Sequence, residues 1–246
     1  MTREEKMNTY RTTATIVGAL FLINTVMYTL GDGLEKSILN APDYLRHVYS
    51  NSTQVVIGVL LQYVAAAGNV GIAVLLFPIL KKHSETIALG YVVTRIFDGA
   101  GLVVSGIGTL SLIALSQETI QAGTQSASYS MTLGNLLVAG SDTAFVVTMI
   151  ALGLGAMPFC YLLYRSRLIP RSMSVLGFIG YAALFIGSVL ELFGLNLYMI
   201  HYVPGGLFEL IFPIWLIVKG FNPSAIVSEP AKTDIDERER VSLSKA

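Results

Sequence analysis

Residues 54–83 read QVVIGVLLQYVAAAGNVGIAVLLFPILKKH. Between Gln54 and Leu80 no Asp, Glu, Lys or Arg interrupts the run, which then stops at Lys81, Lys82 and His83. An α-helix of that length crosses a hydrocarbon layer of about 30 Å. Five more apolar runs flank it, roughly Thr12–Leu30, Ile87–Leu115, Leu137–Leu163, Val175–Phe193 and Met199–Val218. The fold class predicted is all-α, a polytopic membrane bundle of six transmembrane helices. Pro204, Gly205, Gly206 and Pro213 interrupt the last run, so that helix is expected to be kinked or partly unwound. Lipid tolerates this only where neighbouring helices or a cavity satisfy the freed backbone groups.

Charge orients the bundle. Of the 16 Lys and Arg, all but Lys36, Arg46 and Arg95 lie at the amino end, in the second and fourth connections, or at the carboxyl end. By the positive-inside rule both termini are expected to be cytoplasmic. The chain then divides into an N-terminal segment over 1–11, a membrane domain over 12–220 and a disordered cytoplasmic tail over 221–246, rich in mixed charge. The run Thr12–Leu30 is longer than a signal-peptide core and is followed by Gly31, Asp32 and Gly33, which is not a cleavage pattern, so it reads as an uncleaved helix. Tyr44, Leu45, Val48 and Tyr49 recur at helical spacing in the first outer loop, as in a short helix lying at the interface.

Composition narrows the function classes. Hydrophobic residues make up 53% and charged residues 13%, and mean hydropathy is +0.64, far from a soluble domain with about a quarter charged. Formal net charge is zero, so nothing in it calls for nucleic acid. Cys160 is the only cysteine, so no intrachain disulfide and no cysteine-based metal cluster is expected. His47, His83 and His201 fall in or beside connections and offer no facing pairs for haem or a metal. No cofactor motif is present and no catalytic residue stands out. The bilayer itself is the expected partner, with a small solute or protons as candidate ligands.

The candidate site lies in the ionisable residues inside the apolar runs. Tyr91, Arg95, Asp98, Leu102, Ser105 and Thr109 step by four and three along the third run, which places them on one helical face directed into the bundle. Arg95 and Asp98, one turn apart, can neutralise each other. The bland alternative is that Arg95 snorkels to the inner interface. Asp142, Glu191 and Glu209 add three more acids, and Gln62 and Asn69 on the second run can supply hydrogen bonds. One base against four acids leaves the surplus acids to be solvated, protonated or paired elsewhere. The expected arrangement is an outward-facing polar cavity lined by Gln62, Asn69, Asp98, Glu191 and Glu209 with Arg95 at its floor. Asp142, Tyr91 and Ser105 are weaker candidates. Three spans carry a proline beside a phenylalanine near their inner ends, at Pro78, Pro158 and Pro213, at spacings too irregular to establish a repeat.

The strings Ala41-Pro-Asp-Tyr-Leu45, Leu89-Gly-Tyr91 leading to Arg95, Leu163-Tyr-Arg-Ser-Arg-Leu-Ile-Pro170 and Ile214-Trp-Leu-Ile-Val-Lys-Gly-Phe-Asn-Pro-Ser-Ala225 resemble the bacterial membrane proteins grouped as domain-of-unknown-function family 4386. The resemblance implies a multi-pass protein of the bacterial inner membrane and brings no activity with it. It also implies acids matching at Asp98, Asp142 and Glu209, and a departure at Gln62, where the family pattern has an acid. The function expected is binding or transport of a small solute through the polar cavity, with protonation of Glu209 or Asp98 as the coupling step. Alternatives are a membrane-embedded interaction or regulatory protein whose polar residues only fix helix packing, and an intramembrane enzyme acting on lipid.

Overall fold

The computed structural model describes residues 3–122, 127–195 and 197–227. Among them lie eight α-helices and no strand: α1 (Arg3–Leu39), α2 (Tyr44–Val48), α3 (Ser52–Leu80), α4 (Glu85–Ala122), α5 (Ala127–Ser166), α6 (Arg171–Leu192), α7 (Val203–Val218) and α8 (Pro223–Val227). A 3-10 turn, Ile200–Tyr202, leads into α7. Six segments are long and apolar enough to cross a membrane: α1, α3, α4, α5, α6 and the stretch Ile200–Val218. The chain is an all-α, multi-pass integral membrane protein.

Each spanning helix packs mainly on its neighbours in sequence, and α7 returns to pack on α1, so the six close a ring. Arg11 locks that closure. Its guanidinium donates to the carbonyls of Leu216 at 3.3 Å, Ile217 at 2.7 Å and Val218 at 3.0 Å. These are end-of-helix carbonyls without intrahelical donors, where a cation also meets the negative pole of the helix dipole. Gly220, with φ +74°, turns the chain away from α7 directly under this guanidinium; a Cβ there would sit 2.8 Å from Arg11 Nη1. Between α6 and α7 the backbones touch. A Cβ on Gly180 would lie 2.7 Å from the Cα of Gly205.

The α3–α4 and α5–α6 turns lie at the end of the ring that carries the N-terminus and α8, called here the near end. The loops holding α2, and residues 193–199, lie at the far end. Three helices run well past their hydropathy runs at the far end, α1, α4 and α5, the last starting at Ala127 instead of Leu137, and α1 also starts earlier, at Arg3. α1 continues past Leu30 to Leu39 because its polar residues find partners on the helix: Lys36 pairs with Asp32 at 2.9 Å, and Gln54 from α3 donates to the Leu34 carbonyl and to Ser37. α4 continues through the expected polar loop to Ala122. There Ser116 and Thr119 are buried, and the Ser116 hydroxyl donates to the Leu45 carbonyl while accepting from the Tyr49 amide.

The predicted interfacial helix is α2, but Tyr44, Leu45 and Val48 face inward and pack with Leu112 and Leu115 of α4. It stoppers the far end beside α4. α7 is helical through its prolines: Pro204 sits in the first turn and Pro213 inside. The irregularity predicted for that span is confined to the 3-10 turn. At the near end, Phe221 and Ala225 are buried, and the Asn222 amide bonds to the Leu168 carbonyl at 2.9 Å. Ordered packing therefore reaches into the region read as tail, whose remainder, 228–246, lies outside the described residues.

Candidate functional site

The polar stripe on α4 turns into the ring, as its spacing requires. Tyr91, Arg95, Asp98, Leu102 and Thr109 are buried. Arg95 does not snorkel: its side chain is 3% exposed, held between helices from every direction. Nη1 meets Asp98 Oδ2 at 3.3 Å, Nε donates to the Tyr91 hydroxyl at 3.2 Å, and the guanidinium lies over the Phe21 and Tyr91 rings at 5.8 and 5.4 Å. Asp98 is as deeply buried and receives a second donor, Asn69 Nδ2, at 3.2 Å. Asn69 in turn accepts from Asn24 of α1 at 3.1 Å. A charge pair out of water is tolerated only when its remaining lone pairs and protons are satisfied, and this chain across α1, α3 and α4 supplies most of them.

One group is left over. Arg95 Nη2 is buried and has no hydrogen-bond partner among the described residues. The nearest acid is Glu209 of α7, whose Oε1 stands 4.0 Å away and accepts instead from the Tyr181 hydroxyl of α6 at 2.9 Å. Glu209 is 32% exposed, in contrast to the sealed pair.

These groups form the floor of a central cavity of about 230 Å³ lined by all six spanning helices. Arg95, Asp98, Asn69, Asn24 and Glu209 give it polarity, while the wall toward the far end is largely aromatic and aliphatic, with Tyr28, Phe145 and Tyr202 among its residues. Phe145 stacks against both Tyr28 and Tyr202, at 6.1 and 6.3 Å. Toward the near end the ring is filled. Tyr91 stacks on Phe159 at 4.2 Å, and Phe159, Phe21 and Phe208 all pack against Phe212. All five rings are buried. The cavity is thus closed toward the near end by an aromatic plug.

Of the predicted site residues, the structure brings Arg95, Asp98, Asn69 and Glu209 together. Gln62 and Glu191 do not line the cavity. Gln62 lies two turns from Asn69 on α3 and faces α1, where its Nε2 donates to Glu35 at 2.8 Å. Glu191 lies at the far rim, accepting from the Tyr202 hydroxyl at 3.3 Å, with His201 Nε2 at 3.6 Å. Asp142 is exposed. Tyr91 supports Arg95 from below. Ser105 packs helices: its hydroxyl donates to the Ser141 carbonyl, and the Ser141 hydroxyl returns the bond.

Two contributors to the cavity lie outside the predicted set. Asn24 is a single amide in an apolar run, and Tyr181 falls on the face of Leu184, Ser188 and Glu191 without a charge to single it out. Outside the cavity, the buried Glu35 that holds Gln62 follows Gly31, Asp32 and Gly33, which read as a loop.

A family model described as a domain of unknown function, DUF4386, matches residues 16–220, and the chain belongs to that family. No curated protein and no solved structure matches it.

Proposed function

We propose that this family member binds a small solute in the central cavity and moves it across the membrane, with Glu209 as the ionic contact. The observation that carries this reading is the contrast between two acids on one cavity. Asp98 is closed upon Arg95, whereas Glu209 is partly open to the cavity and stands 4.0 Å from Arg95 Nη2, an ion-pair distance that leaves that buried nitrogen without a hydrogen bond. A network serving packing alone has every reason to seat Glu209 on Arg95, because an unsatisfied buried donor costs about 1–3 kcal/mol.

In a carrier the aromatic plug acts as the closed gate, and its parting from α7 opens the near side. Proton exchange at Glu209 or Asp98 is the coupling step such a carrier uses. The bias of basic residues favours a cytoplasmic near end, an orientation in which the cavity lies on the outer side of the aromatic plug. The bacterial inner membrane is the location this topology and the family resemblance suggest.

Two variants test the reading. Asp98→Asn removes the counterion of a buried guanidinium and should destabilise the purified protein by about 3–5 kcal/mol. Glu209→Gln keeps the Tyr181 bond and should cost clearly less stability than Asp98→Asn, while strongly weakening solute binding. If Glu209→Gln loses stability on the scale of Asp98→Asn, Glu209 is a packing residue and the solute reading fails.

A further inference from the structure

We infer that the solute of this cavity is a small organic monocation with an apolar or aromatic body. The inference rests on the solute-binding reading above and adds the ligand class.

The charge count comes first. The ionisable cavity residues that carry formal charge are Arg95, Asp98 and Glu209. Arg95 and Asp98 cancel as a contact pair, so the carboxylate of Glu209 is the surplus. A net negative charge amid apolar helices calls for one positive charge to offset it. Geometry agrees. Glu209 accepts from Tyr181 and meets Arg95 only as a long ion pair of 4.0 Å, and at 32% exposure its carboxylate remains open to a ligand. The guanidinium, the group an anion would need, is sealed at 3% exposure with Asp98 against it. An anion entering the cavity would meet the part-exposed Glu209 carboxylate, while the guanidinium is sealed with Asp98.

The wall selects further. Above Glu209 stand Tyr28, Phe145 and Tyr202, in ring contact through Phe145. Aromatic faces attract a desolvated cation and also accommodate apolar groups. The Phe21 ring is already occupied by Arg95, and Tyr202 also meets His201 at 4.1 Å, so a ligand would use the cavity-facing surface of the Tyr28, Phe145 and Tyr202 cluster. A volume of about 230 Å³ suits a single ring with a short ammonium arm. Glu209 and the rings together read charge and shape, while Asn24 and Asn69 are committed to each other and to Asp98.

The test is equilibrium binding to the purified full-length protein of three probes of one shape: benzyltrimethylammonium, its neutral carbon isostere neopentylbenzene, and the anion phenylmethanesulfonate. The cation should bind about tenfold or more tightly than either analogue, the scale of one charge-assisted contact. Glu209→Gln, shown by its melting curve to be folded, should erase that preference and keep the weaker binding of the neutral isostere. Tyr202→Leu should weaken the cation without reversing the preference. Equal binding of the three probes, or preference for the anion, overturns the monocation while leaving a solute cavity in place. Absence of binding by all three overturns it as well, and a cysteine at the cavity floor that proves inaccessible to water then removes the cavity reading too.

Discussion

Asp98 and Glu209 show how much a residue's meaning depends on what stands within a few ångströms of it. Both are carboxylates in the middle of apolar helices, yet one is fixed by Arg95 and Asn69 and the other by a tyrosine hydroxyl, with Arg95 no nearer than 4.0 Å. The same logic applies to Glu35, which depends on Gln62 from α3. Gln62→Leu should remove one of the bonds to that carboxyl, which Thr109 also reaches, and lower stability by about 1 kcal/mol, read from thermal unfolding; an unchanged curve would mean that the Gln62 bond contributes nothing. At the near end, burial and the neighbouring Lys82 hold the His83 imidazole below its ordinary range. The unfolded chain then takes up the proton first as pH falls below about 6.5, so acidification disfavours the folded state. His83→Asn should flatten the loss of stability on that acidic side, and a wild-type slope in the variant would refute the assignment.

At the scale of elements, α7 depends on its neighbours at both crossings. Gly180→Ala inserts a methyl where the α6 and α7 backbones touch, and overpacking of this kind costs about 1–3 kcal/mol. A wild-type melting curve would show that the helices part without cost. Arg11→Ala removes the donors to the last carbonyls of α7. Faster amide exchange should follow in the last turn of α7, with α3 unaffected. Spanning helices were legible because hydropathy reports burial in lipid directly, and the α4 stripe because its period is that of a helix. The far-end extensions of α1 and α4 were not, since Asp32, Lys36, Ser116 and Thr119 look like loop residues until the partners that satisfy them are known. Gln62 and Glu191 are placed in the cavity by helical spacing, Gln62 from Asn69 and Glu191 along the face with Tyr181 and Ser188. Spacing says which residues share a face but not which neighbour that face meets at each level.

For the whole molecule, the ring is what turns six apolar helices into a site. Closure of α7 on α1 puts Glu209 opposite Arg95, residues far apart in the chain, and no periodicity in the sequence encodes that meeting. It also places the aromatic residues of the near half of α1, α4, α5 and α7 against one another, sealing one end while the other holds the pit. The most direct test of this arrangement is whether water reaches the floor. In protein carrying Cys160→Ala and reconstituted in lipid nanodiscs, Leu102→Cys at the floor and Thr29→Cys near the rim can be exposed to a charged, water-soluble thiol reagent. A hydrated pit predicts modification of both, the floor more slowly than the rim and the floor alone protected by a bound ligand. Reaction at Thr29→Cys with an inert Leu102→Cys would contradict it and leave the polar floor as part of the packing.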